Sequence, residues 1–260
     1  MRKHKRKPEW FDNEELWRDT FPFIFSEHNF AVASETVQQA LKLAKPKGTS
    51  ALDLCCGPGR CSVPLSKLGF SVTGVDRTKY LLDKARSRAR AAELRIEWIQ
   101  EDMRDFVRPE SYDLALSMFT SFGYFDDRGE DDIVLSNVFR SLRPQGVFLI
   151  EMMGKEILAK IFQPSSAETL PDGTMMVERR QIIDDWSRVR NEWTIILKGK
   201  ARKFSFLLNL YSGHELREKL QGVGFRDIKL YGNMEGDPYG PSAKRLIAVG
   251  RKPKSTVSQI

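Results

Sequence analysis

Between residues 50 and 152 short apolar runs alternate with longer amphipathic ones, and few folds accept that rhythm. The spacing predicts strands over 50–55, 71–75, 95–99, 113–118 and 147–152. It predicts helices over 61–68, 79–92 and 131–142, and a turn at Leu142-Arg143-Pro144-Gln145-Gly146. Strands separated by helices imply a parallel sheet with right-handed crossovers. Ligands of such sheets bind along the C-terminal ends of the strands.

The rhythm differs on either side. Residues 9–45 read as helices with an aromatic start: Trp10, Phe11, Trp17, Phe21, Phe23 and Phe25. Ser34 is a candidate N-cap, followed by Val37, Ala40, Leu41 and Ala44 at helical spacing. From 175 to 211 three consecutive strands are expected, with turns near 184–187 and 199–200. Ser212-Gly213-His214-Glu215 fits a capping box for a helix running to 222–224. Strands near 226–231 and 245–250 follow. The expected organisation is a basic tail (1–8), a helical cap with the main sheet (9–152), a β-rich insertion (153–211), a returning helix and hairpin (212–252) and a tail (253–260).

With 260 residues, 41 % of them hydrophobic, the chain can bury a sizeable core. No run approaches the ~20 apolar residues that span a bilayer. Met1–Lys7 is basic, but no apolar segment follows, so a secretory signal is not expected. Cys55, Cys56 and Cys61 offer neither a zinc pattern nor useful staples, which suits a reducing, cytoplasmic setting. Much of the net charge of +7 lies at the ends, where solvated tails are the ordinary reading.

Asp53-Leu54-Cys55-Cys56-Gly57-Pro58-Gly59-Arg60 joins the first strand to the first crossover helix. Its glycines let a ligand approach the backbone, and the helix start supplies N–H donors. A dinucleotide fingerprint would place Gly or Ala where Ser62 stands, and no Walker lysine is present. Asp53 is awkward beside a pyrophosphate but suits a ligand bearing an ammonium and a sulfonium. Asp76 ends the second strand and can accept both ribose hydroxyls. Asp102 follows the third strand and can accept an adenine amino group, with the Met103 N–H donating to the ring.

These motifs, with Leu142-Arg143-Pro144-x-Gly146, resemble the ordered motifs of class I S-adenosylmethionine (SAM) dependent methyltransferases. The resemblance covers roughly residues 35–250. It implies a Rossmann-like α/β fold: a seven-stranded, mostly parallel sheet with an antiparallel last strand, a helical N-terminal cap and a three-stranded β insertion after the fifth strand. It implies SAM as cofactor, with Asp53 and Gly57 at the methionine part, Asp76 at the ribose, and Asp102 with Met103 at the adenine. Arg60 would face the methionine carboxylate. Cys55, Gly59, Arg77, Met118 and Phe119 complete the implied cofactor set, and no metal is implied. The segment Ser117–Phe125 and Tyr211–Leu216 are similar to a bacterial and archaeal subgroup resembling small-molecule N- and O-methyltransferases.

Methyl transfer asks the protein mainly for alignment and exclusion of water. Ser121, Tyr124 and Phe125, on the loop after the fourth strand, are the acceptor-site candidates, and His28 is a candidate base if the N-terminal helices close over the cofactor. His214 reads as a helix-start residue. Those helices and the insertion would form the lid over a small-molecule acceptor. The alternatives are an RNA or protein methyltransferase guided by the basic ends, an NAD-dependent oxidoreductase, and a module that binds SAM without turnover.

Overall fold

The computed structural model describes residues 7–254. The basic residues before Lys7 and the last six residues lie outside the described residues, whereas the basic run at 251–254 lies within them, with Arg251 donating to the Ala44 carbonyl and Lys252 to the Leu142 carbonyl. A 3-10 turn at Trp10–Asp12 leads into α1 (Glu14–Ile24), α2 (Glu27–Ala31) and α3 (Ala33–Ala44). Asn13 caps α1 by accepting from the Glu15 and Leu16 amides, and Ser26 caps α2 by accepting from the Asn29 amide. Ser34 is not a cap. Only Val32, itself in helical geometry, separates α2 from α3, so the chain never adopts the extended conformation a capping side chain needs.

The main sheet is built from β1 (Ser50–Leu54), β2 (Ser71–Asp76), β3 (Glu97–Gln100), β4 (Tyr112–Ser117) and β5 (Leu142–Met152). Between them lie α4 (Ser62–Lys67), α5 (Lys79–Ala91) and α6 (Gly129–Ser141). The expected turn at Leu142–Gly146 is instead the bulged start of β5. Tyr112 pairs with Leu142, but the next partner of β4, Leu114, pairs with Val147, and Gln145 takes up the excess chain at φ 67°.

After β5 come α7 (Lys155–Ile161) and a separate antiparallel sheet: β6 (Ser165–Thr169), β7 (Met175–Ile183), β8 (Arg188–Leu197) and β9 (Lys200–Asn209). This insertion has four strands, not three. The added edge strand β6 is largely exposed and polar, so it carries no alternating apolar signal. The chain returns through α8 (Gly213–Val223), β10 (Arg226–Tyr231) and β11 (Leu246–Arg251). The Ser212–Glu215 capping box opens α8 as the sequence predicts.

The main sheet runs β10-β11-β5-β4-β1-β2-β3, with β11 antiparallel to both neighbours and the other pairs parallel. Both faces are buried, so successive residues of one strand enter opposite cores. Phe148 and Ile150 pack toward α6 and α8 with Val134, Leu135, Leu216 and Leu220. Val147 and Leu149 pack toward α3 and α4 with Val37, Ala40 and Leu65. Among the described residues no helix is long and apolar enough to cross a membrane.

Candidate active site

One large cavity opens at the C-terminal ends of β1, β2, β3 and β4. Of the residues expected at the cofactor, Asp53, Cys55, Gly57, Arg60, Asp76, Arg77, Asp102, Met103, Met118 and Phe119 line it. Gly59 does not. It turns the chain at φ 81°, where an added Cβ would come within 3.1 Å of the Trp98 ring, so its role is close packing. Ser121 and Tyr124 line the cavity, whereas His28 is exposed on α2 and is not part of its wall. His214 is also exposed, in the first turn of α8, facing Glu218.

Asp53 is buried at the end of β1 and accepts a 2.5 Å hydrogen bond from Ser62 Oγ. Burial pushes its carboxyl up to about 6, against the opposing pull of the Ser62 hydroxyl and amide. Arg60 follows the glycine turn. Its guanidinium lies 3.2 Å from the centre of the Phe119 ring, and among the described residues its buried Nε has no acceptor and no carboxylate lies within ion-pair distance. Burial lowers its pKa. An anionic carboxylate and an unpaired guanidinium thus flank one turn, an arrangement that fits the zwitterionic end of an amino acid.

Asp76 closes the same turn. Its Oδ2 accepts from the Gly57 amide at 2.9 Å and its Oδ1 from the Thr78 amide at 2.8 Å. Burial raises its pKa, and those two amides work in the opposite direction. The three cysteine thiols are pushed up by burial and stay protonated, as packing groups do.

Asp102 does not present free acceptors. Its Oδ1 takes the Arg104 amide (2.8 Å) and Nε (2.9 Å); its Oδ2 takes Arg104 Nη2 (2.7 Å) and Arg77 Nη1 (2.6 Å). Those four donors fill the acceptor capacity of a carboxylate. Burial raises the Asp102 pKa, but Arg104 and Arg77 more than offset it, and the group is held below its usual range. The two arginines reach on to the N-terminal segment: Arg104 to Glu9, and Arg77 to Glu9 (3.0 Å) and Asp12 (2.6 Å). Trp10 and Phe11, between those acids, lie against the cavity.

The loop after β4 is held in an uncommon shape. Phe119 and Thr120 both have left-handed backbone geometry, at φ 61° and 57°. Glu151, buried at the end of β5, accepts the Phe119 amide at 2.5 Å and pairs with Arg245. Arg245 Nη2 also donates to Thr120 Oγ1 at 2.7 Å. Ser121 Oγ donates to the Met118 carbonyl at 2.8 Å. Burial pushes the Tyr124 phenol up to about 12, with Arg245 opposing, so near neutral pH it is protonated and serves as a donor, not a base.

A model of the methyltransferase domain family matches residues 51–146, the span holding β1 to the bulged start of β5. The chain is a class I SAM-dependent methyltransferase. It is 23 % identical to a Geobacillus sp. (strain WCH70) protein carrying a provisional methyltransferase name, over 93 % of this chain and 99 % of that one. It is 28 % identical to the dTDP-3-amino-3,4,6-trideoxy-alpha-D-glucopyranose N,N-dimethyltransferase of Streptomyces venezuelae, over 84 % of this chain and 90 % of that one. A SAM-dependent methyltransferase from Clostridium acetobutylicum ATCC 824 shares the fold at TM-score 0.76 and 14 % identity, covering 92 % of this chain and 98 % of that one. The cofactor is SAM.

Sequence reasoning missed several residues that shape the methyltransferase's cavity. Ser62 stands where a dinucleotide fingerprint has Gly or Ala, and its hydroxyl orients Asp53. Trp193 reaches the cavity from β8, in the insertion. Glu151, in β5, and Arg245, just before β11, act on the loop between β4 and α6. Trp10 and Trp17 belong to the aromatic start that the sequence does display.

Proposed function

We propose that this methyltransferase transfers the methyl group of SAM to an N or O atom of a small-molecule acceptor. The observation that carries this reading is the division of the cavity. Asp53, Asp76 and Asp102, with the glycine turn and Arg60, make up a polar half at the ends of β1, β2 and β3. Trp10, Trp17, Tyr124, Phe125 and Trp193 make up an aromatic half, contributed by the N-terminal segment, the loop after β4 and the insertion.

In the polar half Asp53 takes the ammonium of the cofactor's methionine part and Arg60 its carboxylate. Asp76 retains a lone pair on each oxygen for the ribose hydroxyls while holding the Gly57 and Thr78 amides. Val75, Leu81 and Met103 form the apolar lining for the adenine ring. Because Asp102 is committed to Arg104 and Arg77, ring recognition falls to the Met103 main chain, and Asp102 anchors the loop. SAM, when bound, supplies an activated methyl group on a sulfonium.

The residues of the aromatic half hold the acceptor and keep water out. Closure by the N-terminal segment and the inserted strands supports a small molecule over a polymer. The test is incubation with a metabolite extract and SAM labelled in its methyl group, followed by mass spectrometry of labelled products. A labelled small molecule is expected. Label found only in RNA or protein would overturn the reading.

A further inference from the structure

We propose that Asp131, buried outside the cavity, is a positioning residue for its acceptor half: it holds Asn209, and through Asn209 the 123–126 loop, more firmly when neutral than when charged. The inference rests on the acceptor-half reading above, because Tyr124 and Phe125 of that loop line the cavity. Asn209, at the end of β9, carries the loop. Its main-chain N–H donates to the Gly123 carbonyl at 2.7 Å, and its Nδ2 donates to the Phe125 carbonyl at 2.9 Å. Its Oδ1 accepts from Arg188 Nε at 3.2 Å, and Arg188 Nη2 donates to the Asp126 carbonyl at 2.7 Å. There is no slack in this contact, since a Cβ on Gly123 would come within 2.9 Å of the Asn209 carbonyl oxygen.

Asn209 Nδ2 also donates to Asp131 Oδ2 at 3.0 Å, and the Tyr211 hydroxyl donates to the same oxygen at 2.5 Å. Asp131 Oδ1 is buried and, among the described residues, has no partner. One oxygen of this carboxyl takes two hydrogen bonds and the other takes none. That suits an acid with its proton on Oδ1, whereas a charge there is poorly solvated. Burial pushes the Asp131 carboxyl up to about 6, against the pull of Tyr211, Asn209, Lys219 and Arg128. Both cations face the Tyr211 ring, Arg128 at 4.8 Å and Lys219 of α8 at 5.6 Å. Lys219 is paired with Asp132, and Glu130 with Arg104. The insertion contributes Arg188, bound to Asn209 and Asp184, while Asp126 and Asp127 are exposed. Burial and the Asp131 charge push the Tyr211 phenol far up, so it stays a donor.

Once the loop lets go, Asp131 meets water and returns to its ordinary value of 3.8. The held arrangement therefore binds the proton more tightly than the released one. Release is hardest below about 4 and becomes easier as pH rises through about 6. These two values make the released fraction grow about 10-fold between pH 5 and 7.5.

Hydrogen exchange read by mass spectrometry tests this on the full chain without added SAM, in peptides spanning 121–127 and 205–211. Asp131→Asn is neutral at every pH and keeps an acceptor for Tyr211 and Asn209. At equal pH the intrinsic exchange rates of wild type and variant cancel. The ratio of their rates, wild type over variant, is expected to grow about 10-fold from pH 5 to 7.5. The Kd for SAM at pH 7.5 should be unchanged, and both peptides should exchange faster than core peptides over 147–152. Tyr211→Phe removes a bond that favours the charged form, so its own rise in exchange should extend to higher pH than that of wild type. A ratio that stays flat with pH would overturn the proposal, as would a Tyr211→Phe profile identical to that of wild type. So would exchange of the loop only together with the core, because Asp131 would then act on the whole fold. The readout needs no acceptor, so such a failure leaves the methyl-transfer reading standing.

Discussion

Ser62 Oγ donates a 2.5 Å hydrogen bond to Asp53, and both side chains are buried beside the Gly57–Gly59 turn. The bond favours the charged carboxylate that burial disfavours, and the balance leaves Asp53 at about 6. An ammonium ligand needs the ionised form. SAM affinity is therefore expected to fall as pH drops through about 6. Ser62→Ala removes the opposing hydrogen bond, so the fall should begin at higher pH. Asp53→Asn should bind SAM about 10- to 100-fold more weakly with little pH dependence. Calorimetric titrations between pH 5 and 8 check this, and identical pH profiles for wild type and Ser62→Ala would contradict it.

The same carboxyl affects folding with a definite sign. A pKa raised in the folded state means that the folded chain binds more protons than the unfolded one between about 4 and 6. The resulting stability is full below the unfolded value and is lost as pH rises through about 6. Asp131, also raised to about 6 by burial and held by Tyr211 and Asn209, acts in the same direction. Asp53→Asn should therefore lose less stability between pH 4 and 7 than wild type. Urea unfolding of the cofactor-free protein at several pH values measures the difference.

Glu151 holds the left-handed Phe119–Thr120 pair through the Phe119 amide and through Arg245. Glu151→Ala leaves a buried amide without an acceptor and Arg245 without its carboxylate. A loss of about 1–3 kcal/mol is expected in urea unfolding, together with a larger fall in turnover than in SAM affinity, because the loop faces the acceptor. Glu151→Gln keeps an acceptor for the amide and should recover part of the stability. A variant with wild-type turnover would show that the loop holds its shape unaided.

The parts of this fold that were legible in the sequence are those set by local periodicity. The crossover strands and helices, the Ser212–Glu215 box and the acids at the ends of β1 and β2 each announce themselves within a few residues. What escaped depends on distant partners. Asp102 looks like a ligand group until Arg104 and Arg77 are seen to occupy both its oxygens. Trp193 has the pattern of any half-buried strand residue, and only tertiary packing brings it to Trp10 and Phe206. His28 shows the converse: chemically suitable, it is exposed on a short helix and lies outside the cavity wall. Ser34 failed because capping depends on a break in the helix that Val32 does not provide.

Arg104 couples the N-terminal segment to the cofactor loop. Its side chain is 1 % exposed and bonds Asp102 on one side and Glu9 and Glu130 on the other, while Arg77 spans Asp102, Glu9 and Asp12. The pairs that involve Glu9 and Asp12 hold Trp10 and Phe11 over the cavity. Cofactor exchange past Trp10 and Phe11, which line the cavity, is expected to require these ion pairs to part. Glu9→Ala combined with Asp12→Ala should speed SAM dissociation about 10-fold, equivalent to about 1.4 kcal/mol. The wild-type rate should rise with salt, because the pairs are only partly buried, and the double variant should respond less. Stopped-flow tryptophan fluorescence gives both rates. Equal dissociation from wild type and variant at low salt would mean that the segment packs on the cavity without governing entry.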